Sequence, residues 1–429
     1  MALALFGLAF VALLVLGAPV AFVFLAPSML YMAVTGTSLI LVGQTMLQQF
    51  VNFVLLAIPL FILAGELMNT AGITTRIFAF ASAAVGHIRG GLGHVNVLAS
   101  LIFSGMSGSS AADAAGLGRV EIKAMVEKGY RPEFAAAITA ASSTVGPIIP
   151  PSIGLVLYGA IAEVGVDWLF MAGLLPGIFL GLALMASIYL EVLTGREHCP
   201  TEPFPGWRAL ARTFFGAVLP LLLPVIIVGG IVTGTLTPTE AGCAAVLLAL
   251  VVGLVHGELR PSELLPALMR SVRATAGIMF ILATVGLFAW VLTVEHVPDL
   301  VAQAMFSLTE ERWVLMLLIL ATLLFLGCFE TASANLLIVT PILVPIAPEL
   351  GIDLVHLGVI LIFALAIGQI TPPVGITLFI VTEITRLPMG RIVRATCPYL
   401  VAMALALLVV AYWPDLALWL PRRFGYAGG

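Results

Sequence analysis

The chain has 429 residues, of which 61% are hydrophobic and only 9% charged, with a formal net charge of −4. A water-facing surface needs far more charge than this, so the composition excludes a soluble globule and points to a bilayer. The small acidic excess implies nothing about nucleic acid, and none is expected as a partner.

From the N-terminus, apolar runs long enough for a helix to cross about 30 Å of hydrocarbon are expected near residues 3–24, 26–42, 48–69 and 72–88. The first lacks a basic flank and an obvious cleavage motif, so it is expected to be a span and not a removed leader. Residues 92–118 are long enough to cross but carry Ser, Gly and Asp at their centre. They predict a helical hairpin that enters and leaves on one side, because non-helical backbone at membrane depth survives only where protein or a water-filled cavity satisfies it.

Next comes 134–160, interrupted by Ser142, Ser143, Thr144, Gly146, Pro147, Pro150 and Pro151. Prolines remove amide donors, so this span is expected to be unwound midway with free carbonyls. A span near 168–192 carries Gly173, Gly177 and Gly181, a small-residue spacing suited to close helix packing. The stretch from Cys199 interleaves Trp207, Leu210, Phe214 and Phe215 with Arg208 and Arg212, which predicts an amphipathic helix lying in the interface. Spans near 216–235, 240–256 and 275–294 follow, then a second hairpin over 313–346, a second broken helix over 356–381 and a span near 396–420.

The expected fold is therefore an all-α polytopic membrane protein of about eleven transmembrane helices plus two re-entrant hairpins. Its expected organisation is 1–60 as scaffold, 61–195 as a first repeat, 196–275 as connector and scaffold, and 276–425 as a second repeat.

The repeat is read directly. One offset of 222 positions superposes Phe103 on Phe325, Gly105 on Gly327, Ala112 on Ala334, Gly146 on Gly368, Pro150 and Pro151 on Pro372 and Pro373, and Pro176 on Pro398. Five spans separate the two hairpins, and an odd number makes them open to opposite faces, the inverted arrangement of secondary transporters. On one face fall Arg89, Arg119, Lys123, Lys128, Arg131, Arg196, Arg208, Arg212, Arg260, Arg270, Arg273, Arg386, Arg391 and Arg394, which marks it as cytoplasmic. Cys199, Cys243, Cys328 and Cys397 are scattered without disulfide or zinc spacing, and no cofactor is expected.

Ser104, Ser107, Ser109, Ser110 and Asp113 crowd the first hairpin tip with Gly105 and Gly108. Such a density of oxygen in a membrane is costly unless a desolvated cation occupies it, and sodium is a hard ion that takes hydroxyl and carbonyl ligands. With the first broken helix this tip makes one expected site. Thr331, Ser333, Asn335 and Thr340 against Gly368, Gln369, Thr371, Pro372 and Pro373 make the second. Asp113, matched by Asn335, is read as a cap of the returning helix. Glu66 and Glu330 are the acidic residues placed nearest the hydrocarbon. No Lys or Arg falls in a predicted membrane core, so an anionic substrate would be held by helix N-termini, hydroxyls, Asn335 and the bound cations.

The stretches GLGHVNVLASLIFSGMSGSSAADAAGLG, GYRPEFAAAITAASSTVGPIIPPS, ETASANLLIVTPILVPI and GQITPPVGI resemble the large membrane subunit of the tripartite ATP-independent periplasmic (TRAP) transporters, over essentially the whole chain. The resemblance implies a sodium-driven importer of a small organic anion in a bacterial or archaeal inner membrane, working by an elevator motion. It also implies a small four-span membrane subunit and a periplasmic substrate-binding protein as partners. Carried over by the same resemblance, sodium ligands fall on Ser104, Ser107, Ser143 and Gly146, and on Thr331, Gly368 and Thr371. Substrate contacts are expected at Ser109, Asn335, Pro150, Pro372 and Gln369.

Independently of the resemblance, no GxxxxGK[ST] phosphate loop occurs, which leaves an ion gradient as the drive. Rival readings are a self-contained sodium-coupled anion symporter, a passive channel, and an intramembrane serine protease suggested by Gly105-Met106-Ser107-Gly108. Against the last, His87, His94, His198, His256, His296 and His356 all fall in loops or near span ends.

Overall fold

A computed structural model of the chain describes residues 1–70, 72–197, 199–200, 203–255, 257, 259 and 261–428; Arg260, His198 and His256 lie outside them. All regular structure among the described residues is helical. Helices α1 (Ala2–Val15) and α2 (Val20–Thr35) pack on each other. The boundary expected near residues 24–26 falls inside α2. The turn is made instead by Gly17, at φ +70°, with Pro19 at the N-cap of α2.

Helix α3 (Ile40–Gln49) bends by 61° into a 3-10 turn (Phe53–Leu56) and α4 (Ala57–Thr70), followed by α5 (Ile73–Val85). Arg76 sits in the first turn of α5, inside the span expected over 72–88, so that span is not free of basic residues.

The first hairpin descends as α6 (Leu92–Ser107), turns at Gly108 and Ser109, and returns as α7 (Ser110–Ala115) and α8 (Leu117–Glu127), nine residues beyond the expected end at 118. Helices α9 (Pro132–Ser143) and α10 (Ile153–Ala162) are the two halves of the first broken helix, and α11 (Val166–Leu193) is a long span. Pro132 at the first position of α9 starts it where the missing amide is harmless.

Helix α12 (Trp207–Val232) corrects a second expectation. The amphipathic stretch is not a separate interfacial helix, because it runs without a break into the next span. After α13 (Pro238–Val255), α14 (Pro261–Val294) starts well before the expected 275, and α15 (Val297–Leu308) was not expected at all. The second hairpin is α16 (Arg312–Gly327) and α17 (Ala332–Ile346); the second broken helix is α18 (Leu354–Gly368) and α19 (Ile376–Thr385). Helices α20 (Met389–Tyr412) and α21 (Asp415–Arg423) complete the chain.

Among the described residues, five helices are long and apolar enough to cross a membrane singly, or six if the bent α3–α4 pair counts as one, where about eleven transmembrane helices, two of them broken, are expected from the sequence. The remaining apolar helices are shorter. The apolar outer faces of the long ones need lipid: only 28% of the most apolar stretch of α12 is buried, and Leu182, Val401 and Leu405 stand exposed on α11 and α20.

The duplication survives in three dimensions. Helices α6, α9, α10 and α11 correspond in order to α16, α18, α19 and α20, and both double prolines, Pro150-Pro151 and Pro372-Pro373, contain cis bonds. The packing is reciprocal between repeats. Helix α10 lies against α17 while α19 lies against α7, and α20 lies against α9 while α11 lies against α18. Each hairpin is thus backed by the other repeat's broken helix. Gly173 and Gly177 let α11 approach the unwound residues Ile148 and Ile149 within distances that any Cβ would violate, and Gly181 does the same for Leu101 of α6.

A second group packs around α14: α2, α3 and α4 touch it, α13 lies on α4, and α12 on α5 and α13. Phe6, Phe10 and Phe24 converge on Phe288 with ring centroids 5.1–5.4 Å apart, tying α1 and α2 to α14.

Candidate functional site

Reciprocal packing brings both hairpin tips and both helix breaks to one cavity of about 240 Å³. Gly108, Ser109 and Ser110 enter it from the first tip, Thr331 and Ser333 from the second, and Pro147 and Gln369 from the two breaks. Three of the four re-starting helices carry a side-chain cap, and α19 opens on Gly375 without one. Ser109 accepts from the Ala112 amide (3.5 Å), Thr331 from Ala334 (3.2 Å) and Ser152 from Leu155 (3.2 Å). The N-termini of α10, α17, α19 and the short α7 therefore all face the cavity, and no Lys or Arg lines it. Among the described residues the cavity thus combines four helix N-termini, positive by their dipoles, with apolar walls from Ile278, Ile281, Leu336, Leu337 and Ile362 and no basic side chain.

The helix C-termini end beside it. In the second repeat, Gly327 and Gly368 close α16 and α18 back to back: a Cβ on Gly368 would lie 2.4 Å from Gly327 Cα. Their first-repeat equivalents do not touch in this way. A Cβ on Gly146 would meet Asp113 Oδ2 at 2.8 Å and the Ser143 carbonyl oxygen at 3.2 Å, while Gly105 packs on Pro224 of α12. The Ser109 carbonyl carbon lies at 3.2 Å from the same point, so two oxygens, one of them a carboxylate, and the backbone of the first tip close around a space that only glycine leaves open.

Ser104 donates to Leu101 O (2.8 Å), Ser143 to Ala140 O (2.8 Å) and Thr371 to Ile367 O (2.9 Å). Each proton is satisfied by a carbonyl three or four residues earlier, which leaves the hydroxyl oxygen's lone pairs uncommitted to that bond. Ser107 donates to Asp113 Oδ1. Asp113 is therefore not the cap of the returning helix, which is Ser109, and its second oxygen, Oδ2, is buried without a partner, as is Ser110 Oγ. A buried carboxylate oxygen without a donor is costly unless a cation meets it.

Other expected residues lie elsewhere. Asn335 donates to Leu326 O (2.9 Å) and braces its own hairpin, and neither Pro150 nor Pro372 lines the cavity; Pro150 is buried and Pro372 exposed. Ser142 belongs to a clamp between α9 and α6, bonded to Asn96 Oδ1 (2.6 Å) and Ser100 Oγ (3.0 Å), with Asn96 also donating to Thr139 (2.7 Å). Glu66 pairs with Arg270 of α14 at 2.7 Å, and Glu330 is only half-buried. The deeply buried carboxylates include two that the sequence reading missed. Glu121 follows from the longer α8, and Glu191 accepts from Tyr399 (2.5 Å) across α11 and α20. Neither carries a local sequence signal, because burial there is decided by which helices pack together.

Protease chemistry finds no support at Ser107. Its proton goes to Asp113, while the His94 and His356 rings bond to the carbonyls of Arg89 and Val410 and His296 to Asp299.

Comparison with known proteins gives the family and the fold. Residues 7–416 match the family described as the DctM component of the tripartite ATP-independent periplasmic transporter. The chain is 42% identical over 417 residues to the sialic acid TRAP transporter large permease protein SiaM of Vibrio cholerae, covering 96% of this chain and 97% of that one. It is 43% identical over 376 residues to the C4-dicarboxylate large permease DctM of Pseudomonas aeruginosa, covering 87% of each. It is 34% identical over 385 residues to the 2,3-diketo-L-gulonate large permease YiaN of Escherichia coli, covering 90% of each. Among solved structures, the Alcanivorax borkumensis YdaH transporter shares the fold with a TM-score of 0.65 at 15% identity, covering 86% of this chain and 87% of that one. Neisseria gonorrhoeae MtrF shares it with a TM-score of 0.61 at 14% identity, covering 89% and 84%. These relatives are transporter permeases and not enzymes, so the serine-protease reading is set aside. A multi-pass, all-helical membrane protein, the chain belongs to the family of DctM components, the large permease subunits of TRAP transporters.

Proposed function

We propose that this permease imports a small organic anion, a carboxylate or sugar acid, across a bacterial inner membrane in symport with sodium. The observation that carries the reading is the central cavity, where four helix N-termini meet with no basic side chain. The named substrates of its relatives, sialic acid, C4-dicarboxylates and 2,3-diketo-L-gulonate, are all carboxylates.

One sodium is held at the first tip by Ser104, Ser107, Ser143 and the open point at Gly146, with Asp113 Oδ2 as the charged ligand. The other is held at the second tip by Thr331, Gly368 and Thr371. Sodium ions beside the cavity supply the positive charge that side chains do not, so cation and anion binding reinforce each other. The body made of α6–α11 and α16–α21, knit by reciprocal packing, slides as an elevator against the α14-centred frame. A periplasmic binding protein delivers the substrate and a small four-span subunit completes the frame.

The test is sodium-activated uptake in proteoliposomes holding this chain, its small subunit and the binding protein. Ser143→Ala and Thr371→Ala should each raise the sodium concentration for half-maximal uptake by about tenfold, the loss of one ligand's worth of about 1.4 kcal/mol. Unaltered sodium activation in both variants would remove these residues from the cation sites. Equal uptake without the binding protein would establish a self-contained symporter instead.

A further inference from the structure

A second cavity, of about 580 Å³, lies at the other end of the same body, where α9 and α20 begin and α11 ends. Arg131, Arg196, Arg391 and Arg394 line it. Three carboxylates share it, and their commitments decide what is left over. Glu197 pairs with Arg131 (2.9 Å), Glu133 with Arg391 (3.6 Å), and Glu191 accepts from Tyr399 (2.5 Å). Neither Arg196 nor Arg394 has a carboxylate within ion-pair distance among the described residues. Helices α9 and α20 both open here with no side-chain cap, so their first amides add to the positive field.

We propose that this cavity binds a phosphate-class anion, with the guanidinium forks of Arg196 and Arg394 as its two main contacts. Planar guanidinium groups match the oxygens of a phosphate better than any other side chain, and two of them left unpaired around a water-sized-to-headgroup-sized space are poorly explained as bracing alone. Two sources share the chemistry: a free phosphate and the headgroup of an anionic phospholipid. Exposed Leu190 and Leu193 at the end of α11 put an apolar surface next to the cavity, as a lipid headgroup site needs.

The purified chain is placed in phosphatidylcholine nanodiscs and its thermal unfolding followed in inorganic phosphate and in chloride of equal ionic strength, then repeated in discs containing phosphatidylglycerol. Phosphate should raise the midpoint, and R196Q/R394Q should weaken the apparent phosphate affinity at least about tenfold through the loss of two charge-assisted bonds. R423Q, at α21, should respond as the wild type does. A midpoint that rises only with phosphatidylglycerol, and less so in R196Q/R394Q, supports the proposal and assigns the site to the lipid headgroup. If R196Q/R394Q does not purify as folded protein, R394Q alone makes the same comparison, since it breaks no ion pair. Responses that are equal in the wild type and the variant, or absent from both, overturn the proposal.

Discussion

At the scale of single residues, the site depends on atoms that are left over. Asp113 holds Ser107 with one oxygen and presents the other, unpartnered, to the bare point at Gly146. Asp113→Asn keeps the shape and removes the charge; it should raise the sodium requirement for uptake more than Ser143→Ala does, as read in the same proteoliposome titration. Gly146→Ala puts a methyl group 2.8 Å from Asp113 Oδ2, in the space the proposed cation would occupy. Sodium-dependent uptake should fall by more than about tenfold while the protein remains inserted and monodisperse. Gly368→Ala differs in kind, because its Cβ would strike Gly327 backbone at 2.4 Å and no side chain can yield. Its expected signature is lost stability, by about 1–3 kcal/mol in a denaturant titration. Wild-type stability in Gly368→Ala would show that the α16–α18 contact relaxes freely.

At the scale of elements, caps decide where helices re-start, and the re-starts aim the dipoles. Thr331 caps α17 and borders the cavity, so Thr331→Ala should cost about 1 kcal/mol of stability and also weaken substrate affinity, whereas Thr331→Ser should restore both. Substrate affinity that survives Thr331→Ala would separate the cap from the binding site. The hairpins and broken helices were legible as elements, since Gly108, the paired prolines and the hydroxyl clusters interrupt otherwise apolar runs. Their lengths were less so. Helix α8 runs to Glu127, α12 absorbs the amphipathic stretch, and α15 stands where no span was expected. The breakers are present, with Gly129 just past the end of α8, Gly206 before α12 and Pro298 at the start of α15, but they lie outside the long apolar runs from which spans are read, so the short polar ends of α8 and α12 and the whole of α15 carry no span signal.

At the scale of the whole molecule, the repeats exchange partners. Helices α10 and α19 each back the opposite hairpin, so neither repeat can form its half of the cavity alone. Ile281 of the α14 frame and Ser333 of the second hairpin border the same cavity, one on each side of the proposed sliding surface. With the four native cysteines replaced, Ile281→Cys/Ser333→Cys bridged by a short bifunctional thiol reagent should stop uptake, and cleavage of the bridge should restore it. Full cross-linking with undiminished uptake would refute sliding at this surface.

The amino-acid sequence by itself determined that the chain lives in a bilayer, that it contains one unit twice, and that each copy breaks its helices beside oxygen-bearing residues. These are properties of composition and spacing, which are written locally. Only the tertiary structure decided that the two copies meet at a single cavity, that Asn335 braces its own hairpin while Asp113 Oδ2 is left open, and that Glu121 and Glu191 are buried. Those outcomes depend on which helix faces which across more than a hundred residues of chain, and in a membrane protein apolar residues face lipid as readily as each other, so hydrophobic patterning cannot record the choice.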